Sequence, residues 1–147
     1  VDDGSTDGTR EWLLTAVPEG ARLVVVQLAR NFGPQGALAA GLPHATGDVV
    51  VVMDGDWQDD PHAIPRFLER WRAGDDVVYA IRTARKEAWW KRLLFAAFYR
   101  TMRLVAEVPV PLDAGNFGLM DRRVVTALNG LPERARYFAG LRRWVGY

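Results

Sequence analysis

The chain has no cysteine, so disulfide staples and thiolate metal sites are excluded. No apolar run reaches the length of a membrane span, and no signal-peptide pattern is visible. Internal repeats and low-complexity tracts are absent. No Gly-x-Gly-x-x-Gly follows a strand pattern, which argues against a dinucleotide-binding dehydrogenase. What is present is ample apolar material: 49% of 147 residues, enough for one domain with a real core.

The net charge of +1 conceals a split. Residues 1–81 hold 6 basic and 13 acidic side chains, a balance of −7, while residues 82–147 hold 13 and 5, a balance of +8. An acidic half suited to a metal is thus joined to a basic half suited to anions. The anion could be a diphosphate, a phospholipid surface or a nucleic acid. The basic half is amphipathic rather than a solvated groove, which disfavours nucleic acid.

The richest stretch is Asp54-Gly55-Asp56-Trp57-Gln58-Asp59-Asp60-Pro61, directly after Val49-Val50-Val51-Val52-Met53. A short apolar run of this kind reads as a strand buried on both faces. Carboxylates at its carboxyl end would project into the crevice where open α/β sheets bind ligands. Asp54, Asp56 and Gln58 fall in one phase, and hard oxygens at that spacing suit Mg²⁺ or Mn²⁺ shared with substrate phosphates. The plainer reading is a solvated turn, with Asp59 or Asp60 capping the helix that starts at Pro61. An EF-hand is disfavoured, because the loop lacks that motif's glycine and distal glutamate.

Hydrophobic periodicity predicts the other elements. Val1 reads as a strand end, followed by a helix over Gly8–Ala16 capped by Ser5, Thr6 or Asp7. A Val-rich strand spans Arg22–Leu28, and a loop at Asn31–Pro34 leads to a helix over Gln35–His44. The strand at 49–53 precedes a helix over Pro61–Ala73, with Ile64, Phe67, Leu68 and Trp71 on one face. A strand follows at Asp76–Ile81. Glu87–Ala106 has the composition of one long helix, aromatic over much of its surface. Arg85, Arg92, Arg100 and Arg103 fall within about a quarter of its circumference, a pattern of interfacial membrane helices; a core helix with snorkelling arginines is the alternative. Gly115–Met120 reads as a strand, with Asp121–Leu128 and Tyr137–Val145 as helices. Alternating strands and helices predict an α/β fold with a mostly parallel sheet.

Several segments together resemble family 2 glycosyltransferases. Val1-Asp2-Asp3-Gly4-Ser5-Thr6-Asp7-Gly8-Thr9 is similar to their second-strand motif. Arg30-Asn31-Phe32-Gly33, with Ala37, Ala40 and Gly41, is similar to the next loop and helix. Asp54-Gly55-Asp56-Trp57-Gln58-Asp59-Asp60-Pro61 matches the Asp-x-Asp-x-Gln version found in polyprenyl-phosphate glycosyltransferases, such as dolichyl-phosphate mannose synthases and undecaprenyl-phosphate glycosyltransferases. Arg82 and Arg85, Tyr99-Arg100, and Asp113-Ala114-Gly115-Asn116-Phe117-Gly118-Leu119-Met120-Asp121-Arg122 complete the series. The resemblance covers nearly the whole chain in the expected order.

That resemblance implies a GT-A fold, incomplete at the N-terminus, spanning residues 1–147 as one partial domain with an acceptor-side, membrane-proximal part over 82–147. It implies inverting transfer of a sugar from a nucleotide donor to a polyprenyl phosphate at the cytoplasmic face of a membrane. Asp56 and Gln58, with Asp54, would hold the metal. Asp3, with Asp2, would contact the nucleotide, helped by Arg30, Asn31, Gly33 and Asp54. The acceptor is already an anion, its second pKa being about 6, so it needs cations more than a base; Arg82, Arg85 and Lys91 are the candidates, with Asp113 among the catalytic carboxylates. Both ends read as cut, and a first strand with its Pro-x-x-Asn-Glu segment is expected upstream.

The departures matter too. At 116–118 the family commonly has Asp-Phe-Arg; here it is Asn-Phe-Gly, which removes a carboxylate and a cation from the acceptor side, where Asp113 and Asp121 remain. Trp57 stands where Leu is usual and reads as packing. Two competitors remain. A processive synthase would carry Gln-x-x-Arg-Trp, but Gly140 precedes Leu141-Arg142-Arg143-Trp144. A non-catalytic nucleotide-sugar-binding module is the other.

Overall fold

The computed structural model describes residues 1–16, 19–81, 114–133 and 136–147. In chain order these form α1 (Thr9–Thr15), α2 (Gly33–Gly41) running into a 3₁₀ turn at Leu42–His44, β1 (Val49–Val52), a 3₁₀ turn at Pro61–Ala63 and α3 (Ile64–Arg72). Then come β2 (Val77–Ile81), β3 (Ala114–Asp121), α4 (Arg122–Asn129) and α5 (Phe138–Trp144). The predicted elements are present within a few residues of their expected ends, apart from two differences. The predicted helix over Glu87–Ala106 lies outside the described residues.

The first difference is the sheet. Its order is β1-β3-β2, with both pairings antiparallel: Val49 opposite Asp121 through Val52 opposite Gly118, and Val77 opposite Met120 through Ile81 opposite Ala114. β1 and β2 therefore run in the same direction, as a strand–helix–strand unit through α3 predicts, but β3 lies between them. Local periodicity specifies that a segment is extended; it carries no information on which distant strand will fill the gap. The second difference is Arg22–Leu28, which makes only a parallel bridge, Asp2 to Gln27. Asp2 N donates to Val26 O at 2.8 Å and Leu28 N donates to Asp2 O at 2.9 Å. Gly4, with φ of 76°, turns the chain away just beyond, so the pairing does not extend past Asp3.

Alternation along the strands divides the apolar residues between two layers. On one face Met120, with Val50, Val52 and Val77, packs against Leu38 and Leu42, against Val124, Val125 and Leu128 of α4, and against Phe138 of α5. On the other, Phe117 and Leu119, with Val49, Val51, Val78 and Ala80, meet Ile64, Phe67, Leu68 and Trp71. Those four are the α3 positions that the helical period selects. The Phe67 and Phe117 rings lie 5.0 Å apart at 59°, and burying one such side chain contributes about 1.5–3 kcal/mol.

The all-valine strand is half-buried along Val49–Val52, not buried on both faces as its composition predicts. Among the described residues its ladder is to β3 alone. Its remaining flank opens on a groove of about 370 Å³ that runs along α2. No described helix is long and apolar enough to cross a membrane.

Candidate functional site

β1 and β2 both end where β3 begins, since Val52 faces Gly118 and Ile81 faces Ala114. This edge carries the Asp54–Pro61 loop. It is also where the chain leaves β2 and re-enters β3, because Ile81 and Ala114 are partners. Arg82, Arg85, Lys91 and Asp113 lie outside the described residues.

The loop after β1 is organised by its own carboxylates. Asp54 is half-buried, and its N–H donates to Oδ2 of the buried Asp59 at 3.2 Å. Asp56 is exposed and its Oδ1 accepts from Gln58 N at 3.0 Å, an Asx turn. Asp60 caps the 3₁₀ turn as predicted, its Oδ1 accepting from His62 N at 3.0 Å and meeting His62 Nδ1 at 2.8 Å. These bonds from His62 hold the Asp60 carboxyl below its ordinary range. Trp57 departs from expectation: it is 92% exposed with a φ of 62°, so it is no packing residue. Trp57 is the left-handed residue between Asp56 and Gln58 in this turn.

The second cluster joins two segments about thirty residues apart in sequence. The Oδ1 of buried Asp2 accepts from Ser5 N at 3.0 Å, and bonds from Ser5 keep its carboxyl below the usual range. Asp3 reaches across the fold: Oδ1 accepts from Phe32 N at 2.7 Å and Oδ2 from Gly33 N at 2.8 Å. It thereby caps α2 rather than the helix that follows it in sequence. Asn31 Oδ1 accepts from the same Gly33 N at 2.9 Å. Gly4 makes the approach possible, since a Cβ there would lie 2.5 Å from the Arg30 carbonyl carbon. The Arg30 guanidinium stacks 4.5 Å from the centre of the Phe32 ring. Asp2, Asp3, Arg30, Asn31 and Gly33 thus lie together in one cluster. Asp7 is structural: its Oδ1 accepts from Thr9 N at 3.2 Å and Thr9 Oγ1 at 2.6 Å.

The groove is lined by the start of the loop after β1 and by chain neighbours of the second cluster. Val1 and Pro34, the neighbours of Asp2 and Gly33 in the second cluster, line it together with Leu38, Val52, Asp54 and Gly55. Among the described residues no group of three or more His, Cys, Asp or Glu forms a metal cage. Asp54, Asp56 and the Gln58 amide are nonetheless hard oxygen donors. Mg²⁺ typically takes only one or two protein carboxylates and completes its shell with water and substrate phosphates. The residues present fit that kind of site.

Asp121, expected beside Asp113, stands at the opposite end of β3 from Ala114 and from the edge that carries the Asp54–Pro61 loop. It ends β3, opposite Val49, about seven residues and ~23 Å along the strand from Ala114. Its Oδ1 caps α4 through Arg123 N at 2.8 Å and its Oδ2 accepts from Trp71 Nε1 at 2.8 Å. Gly118 is explained by its surroundings. A Cβ there would lie 2.5 Å from Val78 O and 2.9 Å from Tyr79 Cα, so this strand register has no room for the arginine common in the family. Sequence reasoning gave no role to the Asp59–Asp54 bond, to Gln35, whose Oε1 accepts from Phe138 N at 2.9 Å, or to the buried Arg142. Each acts through contacts that no local pattern reveals.

The family model for glycosyl transferase family 2 matches residues 1–128. This chain belongs to glycosyl transferase family 2. It is 42% identical over 148 aligned residues to a glycosyltransferase of Synechocystis, covering 100% of this chain and 46% of that protein. It is 40% identical to the bactoprenol glucosyl transferase of Shigella phage SfX, covering 99% of this chain and 48% of that one. A prophage bactoprenol glucosyl transferase homolog of Escherichia coli is 38% identical over the same shares. The chain thus spans about half the length of the curated relatives it matches. Membership in the family implies a GT-A fold, of which the described α/β sheet and helices form part.

Proposed function

We propose that this chain carries the donor-binding and catalytic part of a glycosyltransferase that moves a sugar from a nucleotide-sugar to a polyprenyl phosphate at a membrane surface. The observation that carries this reading is the groove at the end of β1. Its lining includes Asp54 and Gly55 and also Val1 and Pro34, the chain neighbours of Asp2 and Gly33 in the second cluster, in a domain of this family. Relatives named bactoprenol glucosyl transferases support the acceptor class.

In this reading the cluster at Asp3 and Arg30 receives the base and ribose, and the diphosphate extends along the groove toward Asp54. A phosphate oxygen of the acceptor attacks the anomeric carbon while the bond from that carbon to the diphosphate breaks, and the configuration inverts. Asp54, Asp56 and Gln58 would hold a divalent cation, which when bound offsets charge developing on the leaving diphosphate. Arg82, Arg85 and Lys91 would compensate the acceptor phosphate, and Asp113 would lie beside the reacting groups. We take the described sheet to be one part of a larger, mostly parallel GT-A sheet, and the basic stretch over 82–147 to be the membrane-proximal side.

In the full-length protein, Asp56→Asn should lower turnover of nucleotide-sugar with polyprenyl phosphate on the order of a hundredfold while leaving the thermal transition in place, because Asp56 is exposed. Asp54→Asn should act in the same direction. Normal turnover in both variants would remove these carboxylates from the chemistry. Tight nucleotide-sugar binding without turnover by the wild-type protein would make it a binding module.

A further inference from the structure

Arg142 of α5 is buried, with 6% of its surface exposed, and no carboxylate pairs with it among the described residues. Its guanidinium lies 5.4 Å from the centre of the Tyr79 ring. One terminal nitrogen donates to Gly115 O at 2.9 Å, and the other makes a longer 3.5 Å contact with Asn116 O. Nε is buried with no acceptor among the described residues. Burial lowers the guanidinium pKa below its ordinary value. A buried cation held this way is costly, and an apolar side chain of similar size would pack without that cost.

The strand it touches shows what the arginine does. Tyr79 faces Gly118 and Ile81 faces Ala114, so between these pairs β2 has one residue, Ala80, where β3 has three. The ladder is broken there, and a buried carbonyl that loses its ladder partner needs another donor. Arg142 supplies donors to the carbonyls of Gly115 and Asn116 within that bulge. The bulge also sits beside the site. Asn116 precedes Gly118 by two residues, Gly118 faces Val52, and Asp54 follows Val52 by two. Asn116 and Asp54 therefore stand at the same level, beyond the last β1–β3 pair.

The geometry points to Arg142 as a positioning residue for glycosyl transfer: it fixes the bulged start of β3, and so the placement of Asn116 and of the chain re-entering at Ala114, against the Asp54 end of β1. This inference rests on the transferase reading and adds to it a residue remote from the substrate. Bulges commonly re-aim side chains next to active sites, and a small misplacement there slows chemistry more than it weakens binding of a donor held elsewhere.

The test uses the full-length protein with nucleotide-sugar and polyprenyl phosphate, together with thermal unfolding of each variant. Arg142→Met should lower kcat on the order of ten- to a hundredfold and leave the donor KM within about twofold. Arg142→Lys keeps the charge and can reach one carbonyl, so it should recover part of the lost kcat. Phe138→Leu, at the buried start of α5, is the stability control; it should lower Tm and leave kcat intact well below the transition. Wild-type kcat in Arg142→Met would overturn the proposal. So would a kcat loss in Phe138→Leu equal to that of Arg142→Met at the same fall in Tm, since Arg142 would then act through stability alone. A wild-type protein that turns over no donor would overturn the transferase reading itself, and this proposal with it.

Discussion

Trp57 concentrates the tension between folding and function at the residue scale. A tryptophan with φ of 62° and 92% of its surface exposed contributes no packing and is backbone-strained. Strain of that kind costs about 1–3 kcal/mol and persists where the surroundings impose it, often at functional sites. The imposing contacts here are the Asx turn from Asp56 to Gln58 and the Asp59 carboxylate on Asp54 N. Trp57→Gly removes the strain but adds the backbone freedom of glycine, worth about 0.5–1 kcal/mol in the opposite direction. The expected result is a Tm equal to or above wild type, with a lower kcat/KM. Calorimetry and steady-state kinetics on the full-length protein would check both. A clear fall in Tm would restore the packing role that the sequence pattern suggests, since only a buried indole would be missed by the fold.

Caps and helical faces were the most legible features at the scale of elements. Asp60 before Pro61 and Asp121 before Arg122 announce helix starts by residue type alone, and Ile64, Phe67, Leu68 and Trp71 announce the buried face of α3. The second bond of Asp121 was not legible, because Trp71 is fifty residues away. That bond makes Asp121 the joint between α3, β3 and α4. Bonds from Arg123 N, then from the Trp71 indole, and the Arg123 charge hold its carboxyl below the ordinary value. A depressed carboxyl contributes stability above the unfolded pKa of about 3.9, and that contribution is lost as pH falls through the lower folded value. Asp121→Ala should therefore cost about 1–2 kcal/mol near neutrality. The gap from wild type should close in acid, below about pH 4. Denaturation of both proteins at pH 7 and at pH 3 would test this; a gap of the same size at both would mean that the charge on Asp121 is immaterial.

For the molecule as a whole, the decisive fact is that β3 threads between two strands that a helical crossover had left apart. The sequence offered the strands, the direction shared by β1 and β2, and the loop where the carboxylates gather. It also named the Asp2, Asp3, Arg30, Asn31 and Gly33 cluster through resemblance, though not the cross-fold bond from Asp3 that builds it. The insertion of β3 was invisible, since pairing across 66 to 72 residues with β1 leaves no periodic trace. Gly118 is the point where that insertion is tightest. It faces Val52 on one side and Tyr79 on the other, and the backbone of Val78 and Tyr79 leaves no space for a Cβ. Backbone cannot yield as a flexible side chain can, so a larger residue must push β2 away from β3. Both layers then suffer together, because Met120 anchors one and Leu119 the other on the same strand. Gly118→Val should accordingly lower stability by about 1–3 kcal/mol or more, seen as a shift of the denaturation midpoint in the full-length protein. Near-ultraviolet signal from Trp71, on the α3 side, and far-ultraviolet helix signal should move in parallel if the two layers unfold as one. An unchanged midpoint would mean that β2 can step aside at no cost, and the glycine would then need an explanation in the chemistry of the site instead of the packing of the sheet.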